Sequence, residues 1–414
     1  MTLEGETYFQ ALSPKPFIST GIPFPLAAAH HATTTFNASR IYLIVSKSIS
    51  SSPAYHSLLS ALGHRNVIGY HLSIRQHVPW PDVLAVASEL RRLQIDLVIT
   101  LGGGSVTDAA KVAILAAANN VSTLDDLEAV RLSNASGKAP NPATIPTINI
   151  PTTLSAGEYN PQAGATDLRN NRKSSFKHPS LVASLVILDP ALTISTPSRV
   201  WLSSGMRAVD HCIEGLCSLD FRPGGTAPPE AEEILTSGLK KLLPNLLTTK
   251  HHPETIKARG ESMLGALDAM RGLLLGISVG ASHGIGHQLG PLGVGHGETS
   301  CVMLASVLRW NREHGDAWVV ERQAKVLDVF WGDATVAEAL RRRGLERECA
   351  TAGDVVAEFV AELGLPGSLK DVGVGEDMLD RLAENSMTDR CIPTNPVKID
   401  KVGQIREILG LAMG

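Results

Sequence analysis

Cysteine is scarce in this sequence and follows no pairing pattern. The chain has five cysteines, and none belongs to a Cys-x-x-Cys motif. An odd and sparse set does not provide the disulfide framework on which small secreted domains depend. We therefore expect free thiols and a reducing compartment; the residues are Cys212, Cys217, Cys301, Cys349 and Cys391.

Long basic runs, long apolar runs and a leader pattern are also missing. The formal net charge is −4, which argues against nucleic acid and anionic membranes as partners. Apolar stretches such as Ala109–Ala118 are too short to span a bilayer, and the N-terminal segment is acidic and lacks a signal-peptide pattern. Aromatic residues make up 4%, so no stacking surface indicates a substrate. These features predict a soluble, cytoplasmic protein.

The chain is long enough for two domains, with 414 residues of which 43% are hydrophobic. Over residues 1–190, strand patterns such as Ile41–Val45 and Ile95–Thr100 alternate with helical ones such as Ala54–Leu62. This alternation predicts an α/β domain whose parallel sheet is covered on both faces. Over residues 191–414, helical periodicity takes over and predicts an all-helical domain.

A glycine-rich loop, Gly102-Gly103-Gly104-Ser105, follows the strand at Ile95–Thr100 and precedes an Ala-rich helix predicted from Thr107 to about Ala118. Glycines allow a phosphate to approach the backbone, and the helix N-terminus attracts an anion. We expect Ser105 to cap the helix, with Asp108 completing a capping box. The loop predicts a phosphate-binding site, and the alternative is an ordinary helix cap after a turn.

Two other polar segments also follow predicted strands. Ser46-Lys47 comes after Ile41–Val45, and Thr152-Thr153 comes after Thr147–Ile150. Ligands of open parallel sheets bind at the carboxyl ends of the strands. We therefore expect both segments to converge with the glycine loop on one crevice.

Histidines cluster in the helical half of the sequence. Arg207 and His211 are one helical turn apart, His283 and His287 likewise, and His296 follows a glycine-rich turn. Such spacing suits metal ligation or proton transfer. The alternative is that each histidine is only a hydrogen-bonded structural residue.

These blocks, in this order, resemble the iron-containing alcohol dehydrogenase superfamily. Glu158, Pro161 and the run His296-Gly297-Glu298-Thr299 are most similar to its maleylacetate reductase branch. The resemblance implies a Rossmann-like N-terminal domain and a helical C-terminal domain, as in dehydroquinate synthase-like proteins, with the active site between them. It also implies a homodimer.

The same resemblance implies roles for individual residues. The loop Gly102–Ser105 and Asp108 would hold the pyrophosphate of a nicotinamide nucleotide. Thr152, Thr153 and Leu154 would lie along that cofactor. The metal-ligand positions fall on Arg207, His211, His283 and His296, and His287 matches a further active-site histidine near the nicotinamide.

Arg207 is the main departure from the family pattern, because a permanent cation replaces a carboxylate ligand. A guanidinium repels a divalent ion at short range, which predicts a site without metal. Asp210 is directed about 100° away from His211 around a helix, so it is expected to be a poor substitute ligand. Two alternatives remain: Arg207 turns outward into a salt bridge, or His211, His283 and His296 alone bind a metal.

We therefore expect an NAD(P)H-dependent reductase of a carbonyl or conjugated enone on a small oxygenated substrate, with or without a carboxylate. Arg207, with His211 or His283, would stabilise the oxyanion, and His287 or His283 would donate the proton. Lys47 favours NADPH over NADH. The alternatives are a redox-neutral lyase or cyclase that uses bound nucleotide, a metal-dependent alcohol dehydrogenase, and a non-catalytic nucleotide-binding protein.

Overall fold

The computed structural model describes residues 2–75, 78–131, 139–170 and 172–414. The chain forms two compact units, the first ending at Ser195 and the second running from Thr196 to Gly414. The sequence-based boundary, after residue 190, falls just before this division. Each unit has its own hydrophobic core.

In the part of the chain that the structure describes, the first unit contains a mostly parallel sheet and five α-helices. Its strands are β1 (Thr7–Gln10), β2 (Phe17–Thr20), β3 (Ile41–Ser46), β4 (Val67–Ile74), β5 (Leu97–Gly102), β6 (Thr147–Pro151), β7 (Gln162–Asp167), β8 (Arg172–Lys177) and β9 (Leu185–Leu188). Its helices are α1 (Phe24–Thr34), α2 (Pro53–Leu62), α3 (Trp80–Arg92), α4 (Gly104–Ala118) and α5 (Leu124–Ala129).

Seven strands form one sheet in the order β1-β2-β9-β6-β5-β3-β4, and β7 and β8 form a separate antiparallel hairpin. Every pairing in the large sheet is parallel except that of β1 with β2. Alternate residues of β3 pack into different cores: Tyr42 and Ile44 join α3 and α4, while Leu43 joins α1 and α2. The predicted α/β domain with both faces covered is confirmed.

The second unit is built from helices. They are α6 (Ser198–Leu216), α7 (Pro229–His251), α8 (Ile256–Leu274), α9 (Ala281–Leu289), α10 (His296–His314), α11 (Ala317–Gly332), α12 (Ala334–Arg342), α13 (Ala352–Glu362), α14 (Leu379–Ser386) and α15 (Val402–Leu411). The predicted helical C-terminal region is confirmed.

Helix α6 lies inside the second unit, and every residue from Trp201 to Leu216 is buried. Helices α7, α8 and α10 pack on it, so its polar side chains are surrounded by protein. All five cysteines are free thiols, as expected. Within the described ranges, no helix is long and apolar enough to cross a membrane.

Candidate active site

Three strand ends meet at the glycine-rich loop of the first unit. At Gly102, where φ is +153°, an added Cβ would lie 2.9 Å from Val106 Cγ2 and 3.1 Å from Ser46 Cβ. An added Cβ at Gly103 would lie 3.1 Å from Thr153 Cγ2. The structure thus brings Ser46, Gly102 and Thr153 together, and side chains at these glycines would separate the strand ends.

The helix after this loop starts earlier than predicted. Helix α4 begins at Gly104 with Gly103 as its N-cap, and no side chain caps it. The predicted capping box of Ser105 and Asp108 is therefore wrong, since Ser105 already lies in the first helical turn. The Asp108 carboxylate instead accepts a hydrogen bond from the Gly164 N–H at 3.1 Å, in β7. An uncapped helix start behind glycines fits an anionic group such as a pyrophosphate.

The other predicted cofactor residues surround this loop in different ways. Thr152 is buried and its N–H donates to the Gly102 carbonyl at 3.1 Å. The Thr153 and Ser155 hydroxyls lie 3.0 Å apart, and Leu154 is buried. Lys47 is exposed just beyond the end of β3.

A buried lysine fixes the segment that follows β6. The Lys111 ammonium, in α4, donates to the carbonyls of Gly157, Asn160 and Gln162. Burial lowers its pKa to about 8, and burial raises the pKa of the adjacent Glu158 to about 7. A single lysine within a largely apolar, Ala-rich helix is a pattern from which a buried lysine can be predicted.

Arg207 points into the second unit rather than outward. It is 3% exposed, and its Nη1 donates to Ser300 Oγ at 3.1 Å and to Thr299 Oγ1 at 3.4 Å. Its Nε is buried with no hydrogen-bond partner. Burial lowers the pKa of this guanidinium, and nearby Asp210 and Glu214 oppose that effect. The alternative of an outward salt bridge is therefore wrong.

His211 and His283 stack on each other, with ring centroids 4.8 Å apart. His211 Nδ1 and His283 Nε2 are both buried without a hydrogen-bond partner. Burial, together with the positive charge of Arg207, holds the pKa of each ring well below its ordinary value. Both rings are therefore neutral near pH 7.

Glu214 beneath His283 was not singled out from the sequence. Its Oε2 accepts from His283 Nδ1 at 2.7 Å and from the Gly280 N–H at 2.9 Å, and its Oε1 accepts from the Ser282 N–H at 2.8 Å. Burial raises the pKa of Glu214, whereas these N–H groups and Arg207 favour its ionised form. Glu214 is spaced so that it shares one face of α6 with Arg207 and His211. This spacing is the feature of the sequence from which its place in the site could have been predicted.

Asp210 joins the same cluster, contrary to the expectation from its helical angle. Its Oδ2 accepts from Ser300 Oγ at 2.6 Å and Ser282 Oγ at 2.9 Å, and lies 3.4 Å from His283 Nδ1. The angular argument considered α6 alone, whereas His283 and Ser300 come from α9 and α10. Burial and the neighbouring Glu214 raise the pKa of Asp210 well above its usual range.

The two remaining histidines lie in different surroundings. His287 is partly exposed, and its Nδ1 lies 2.9 Å from Asp389 Oδ2. Its ring is 6.4 Å from that of His283. His296 is exposed as the first residue of α10. No pattern in the sequence pointed to Asp389, which lies in a loop after α14.

Matches to known proteins cover most of the chain. The model of the iron-containing alcohol dehydrogenase family matches residues 25–190, and that of the C-terminal part of the Fe-containing alcohol dehydrogenase family matches residues 201–413. Dehydrogenase FUM7 of Gibberella moniliformis is 43% identical over 427 residues, covering 100% of both chains. Dehydrogenase ALT3 of Alternaria alternata is 44% identical over 374 residues, covering 88% of this chain and 97% of its own.

Maleylacetate reductases are also among the relatives. The enzyme of a Pseudomonas species is 27% identical over 365 residues, with 85% of each chain covered. The crystal structure of the Agrobacterium tumefaciens enzyme has a TM-score of 0.71 at 24% identity and covers 94% of this chain and 93% of its own, which shows the fold.

The chain belongs to the iron-containing alcohol dehydrogenase family and is an oxidoreductase. This confirms the family predicted from the sequence, with maleylacetate reductases among its relatives.

The residues at the expected ligand positions do not fit the divalent ion in the family name. His211, His283 and His296 form no group with ligand atoms within 4.8 Å of one another, and the positive charge of Arg207 acts on both His211 and His283. Among the residues that the structure describes, two other groups are that compact, Asp210–Glu214–His283 and His287–Asp389–Cys391. In the first, Glu214 Oε1 and Asp210 Oδ2 already accept protein hydrogen bonds. In the second, burial raises the pKa of the Cys391 thiol to about 12.

Proposed function

We propose that this oxidoreductase is an NAD(P)H-dependent reductase that works without a metal ion. Its reaction is reduction of a carbonyl, or of a conjugated enone, in a small oxygenated substrate with or without a carboxylate. One observation carries this proposal: the buried guanidinium of Arg207 has an unpartnered Nε, and His211 and His283 beside it have unpartnered ring nitrogens. Buried polar atoms without partners are costly, so a ligand that satisfies them is favoured.

The loop at Gly102–Gly104 supports the nucleotide part of the proposal. Its glycines and the uncapped start of α4 leave backbone N–H groups for a pyrophosphate. The segment 46–52 after β3 contains Lys47 and no carboxylate. A 2′-phosphate is therefore tolerated there, and we propose NADPH in preference to NADH.

Arg207 supplies the electrostatic part of the chemistry. A bound reduced nicotinamide provides the hydride. The hydroxyls of Thr299 and Ser300 fix the guanidinium, so its Nε is already oriented toward a developing oxyanion. His211 or His283 assists that stabilisation, and His283 or His287 donates the proton.

Metal analysis of the purified protein, paired with cofactor oxidation assays, tests this proposal. We expect zinc and iron well below one equivalent, and oxidation of NADPH by the untreated protein with a lower KM than for NADH. Stoichiometric zinc or iron would overturn the metal-free site. Tightly retained nucleotide without net NAD(P)H turnover would instead favour the redox-neutral lyase or cyclase.

Substitution of Arg207 gives the matching kinetic test. Removing one preorganised oxyanion donor typically costs about 10²–10³-fold in kcat. We expect a loss of that size in Arg207→Met and a smaller loss in Arg207→Lys, which keeps the charge but not the fork. The exposed Arg342, paired with Glu338, provides the control Arg342→Met, which should leave kcat unchanged. Full activity of Arg207→Met would exclude the proposed role.

A further inference from the structure

We propose that Asp389 is a positioning residue that makes His287, and not His283, the proton donor of the reduction. The inference rests on the proposed function, in which either histidine was a candidate. It follows from the different hydrogen-bond partners and the different exposure of the His283 and His287 rings, which lie one turn apart on helix α9.

The surroundings of His283 leave its Nε2 without a proton. Its Nδ1 faces two carboxylates, Glu214 Oε2 at 2.7 Å and Asp210 Oδ2 at 3.4 Å. A lone pair on Nδ1 would be repelled by these oxygens, so Nδ1 carries the hydrogen and donates it to Glu214. With the hydrogen on Nδ1, the buried Nε2, which has no hydrogen-bond partner in the protein, presents a lone pair to a ligand. His283 therefore accepts a hydrogen bond from the ligand and cannot supply a proton, which leaves His211 as the histidine that assists Arg207 at the oxyanion.

His287 has the partner and the access that a proton donor needs. Its side chain is 32% exposed, compared with 5% for His283, so the ring can be reprotonated from solvent. Asp389 faces Nδ1 through Oδ2 at 2.9 Å, while its Oδ1 accepts from the Cys391 N–H at 2.9 Å. Burial raises the pKa of Asp389, but the hydrogen bond and charge of His287, together with the hydrogen bonds from Cys391, hold the pKa below its ordinary value.

The ionised Asp389 carboxylate thus stabilises a protonated His287 and fixes its ring orientation. In the proposed step, hydride adds to the substrate carbon and NAD(P)H becomes NAD(P)⁺. The Nε2 proton of His287 moves to the oxyanion, or to the enolate carbon of an enone, and solvent water restores the proton. Asp389 keeps its charge throughout and acts only through His287.

Nitrogen-15 spectra of histidine-labelled protein give a readout that does not depend on turnover. We expect a protonated Nδ1 in both His283 and His287, and an unprotonated Nε2 only in His283. Asp389→Asn should shift the His287 signals and leave those of His283 in place. A doubly protonated His283, or His287 signals unaffected by Asp389→Asn, would overturn the assignment.

A double-mutant cycle gives the kinetic readout. Asp389→Asn should lower kcat by about 10–100-fold, within the range of general acid catalysis, with little change in substrate KM or in nucleotide affinity. His287→Gln should lose at least as much, and adding Asp389→Asn to it should cost nothing further. Asp389→Glu should recover part of the loss.

The matched control is Asp380→Asn in α14, which removes an exposed carboxylate paired with Arg406 and should leave kcat unchanged. Additive losses in the double variant, or a rise in KM alone, would contradict the inference. If the wild-type protein oxidises no NAD(P)H with any carbonyl substrate, the proposed function fails. The nitrogen-15 spectra still decide whether Asp389 controls His287.

Discussion

Single buried ionisable residues carry much of the chemistry in each unit. Lys111 and Glu158 are neighbours buried in the first unit, and carbonyl acceptors compensate for the burial of the Lys111 ammonium. Two hydroxyls do the same for Arg207 in the second unit. Burying such groups is costly unless they are bonded, and those that titrate, Lys111 and Glu158, make the stability of the protein depend on pH.

Glu158 gives a pH prediction. Burial raises its pKa to about 7 from an ordinary value of 4.5, so the folded protein retains this proton where the unfolded chain has lost it. The stabilisation is present below pH 4.5 and is lost as the pH rises through about 7. The shift changes the free energy of unfolding by about 3.5 kcal/mol in total, at roughly 1.4 kcal/mol per pKa unit.

Melting temperatures at pH 5 and pH 8 check this effect. The decline between these values should be smaller in Glu158→Gln than in the wild type, because glutamine does not ionise. Glu233→Gln, at an exposed position in α7, is the control and should follow the wild type. Parallel curves for wild type and Glu158→Gln would contradict the buried, protonated state.

At the scale of elements, the start of α9 depends on a side chain from α6. Glu214 accepts the N–H groups of Gly280, Ser282 and His283, which a helix start otherwise leaves unbonded. The negative charge also lies at the positive end of the helix dipole. Asn395 adds a further acceptor for the Ala281 N–H at 3.2 Å. The orientation of His283 therefore depends on two distant parts of the chain.

Glu214→Gln should destabilise the second unit, because an amide nitrogen would face N–H donors. An unsatisfied buried group costs about 1–3 kcal/mol, and more when charge is involved. At the size of this unit, about 2 kcal/mol corresponds to a fall in melting temperature of roughly 4–8 °C. Hydrogen exchange should also accelerate at the start of α9 more than elsewhere. An unchanged melting temperature would show that Glu214 does not cap this helix.

The order of strands and helices was predictable because it follows from local periodicity. The helix that begins at Gly104 was predicted to begin later, at Thr107. Helix starts are predicted from residues whose side chains can cap the helix, and Gly103 has no side chain. Glu214 and Asp389 meet their histidines across 69 and 102 positions of sequence. Only the packing of α6, α9 and the loop after α14 creates those pairs, so local patterns did not reveal Asp389.

At the scale of the whole molecule, the residues predicted to bind the nucleotide and those predicted to carry the chemistry lie in different units. The glycine-rich loop belongs to the first unit, and the Arg207–histidine cluster belongs to the second. A ligand that binds only folded protein stabilises it by about 2.7 kcal/mol at a concentration of 100 Kd. Nucleotide binding should therefore be visible as local protection as well as global stabilisation.

Hydrogen exchange with saturating NADPH tests this division. We expect the strongest added protection at residues 102–106 and 152–154. Gly102→Ala should abolish it, because φ is +153° and the new Cβ would meet Val106 at 2.9 Å. Gly332→Ala, at the end of α11 with open space around its Cβ position, should keep it. Protection elsewhere but not at this loop would contradict the nucleotide site.

The buried guanidinium of Arg207 has a consequence for the conditions under which the enzyme works. A ligated ion must be acquired after synthesis, and it is lost to chelators or altered by dioxygen. An arginine is part of the polypeptide and stays charged at any pH at which the protein is folded. On the proposed assignment, EDTA and air leave activity intact, and the enzyme is fully competent in a cell starved of iron and zinc.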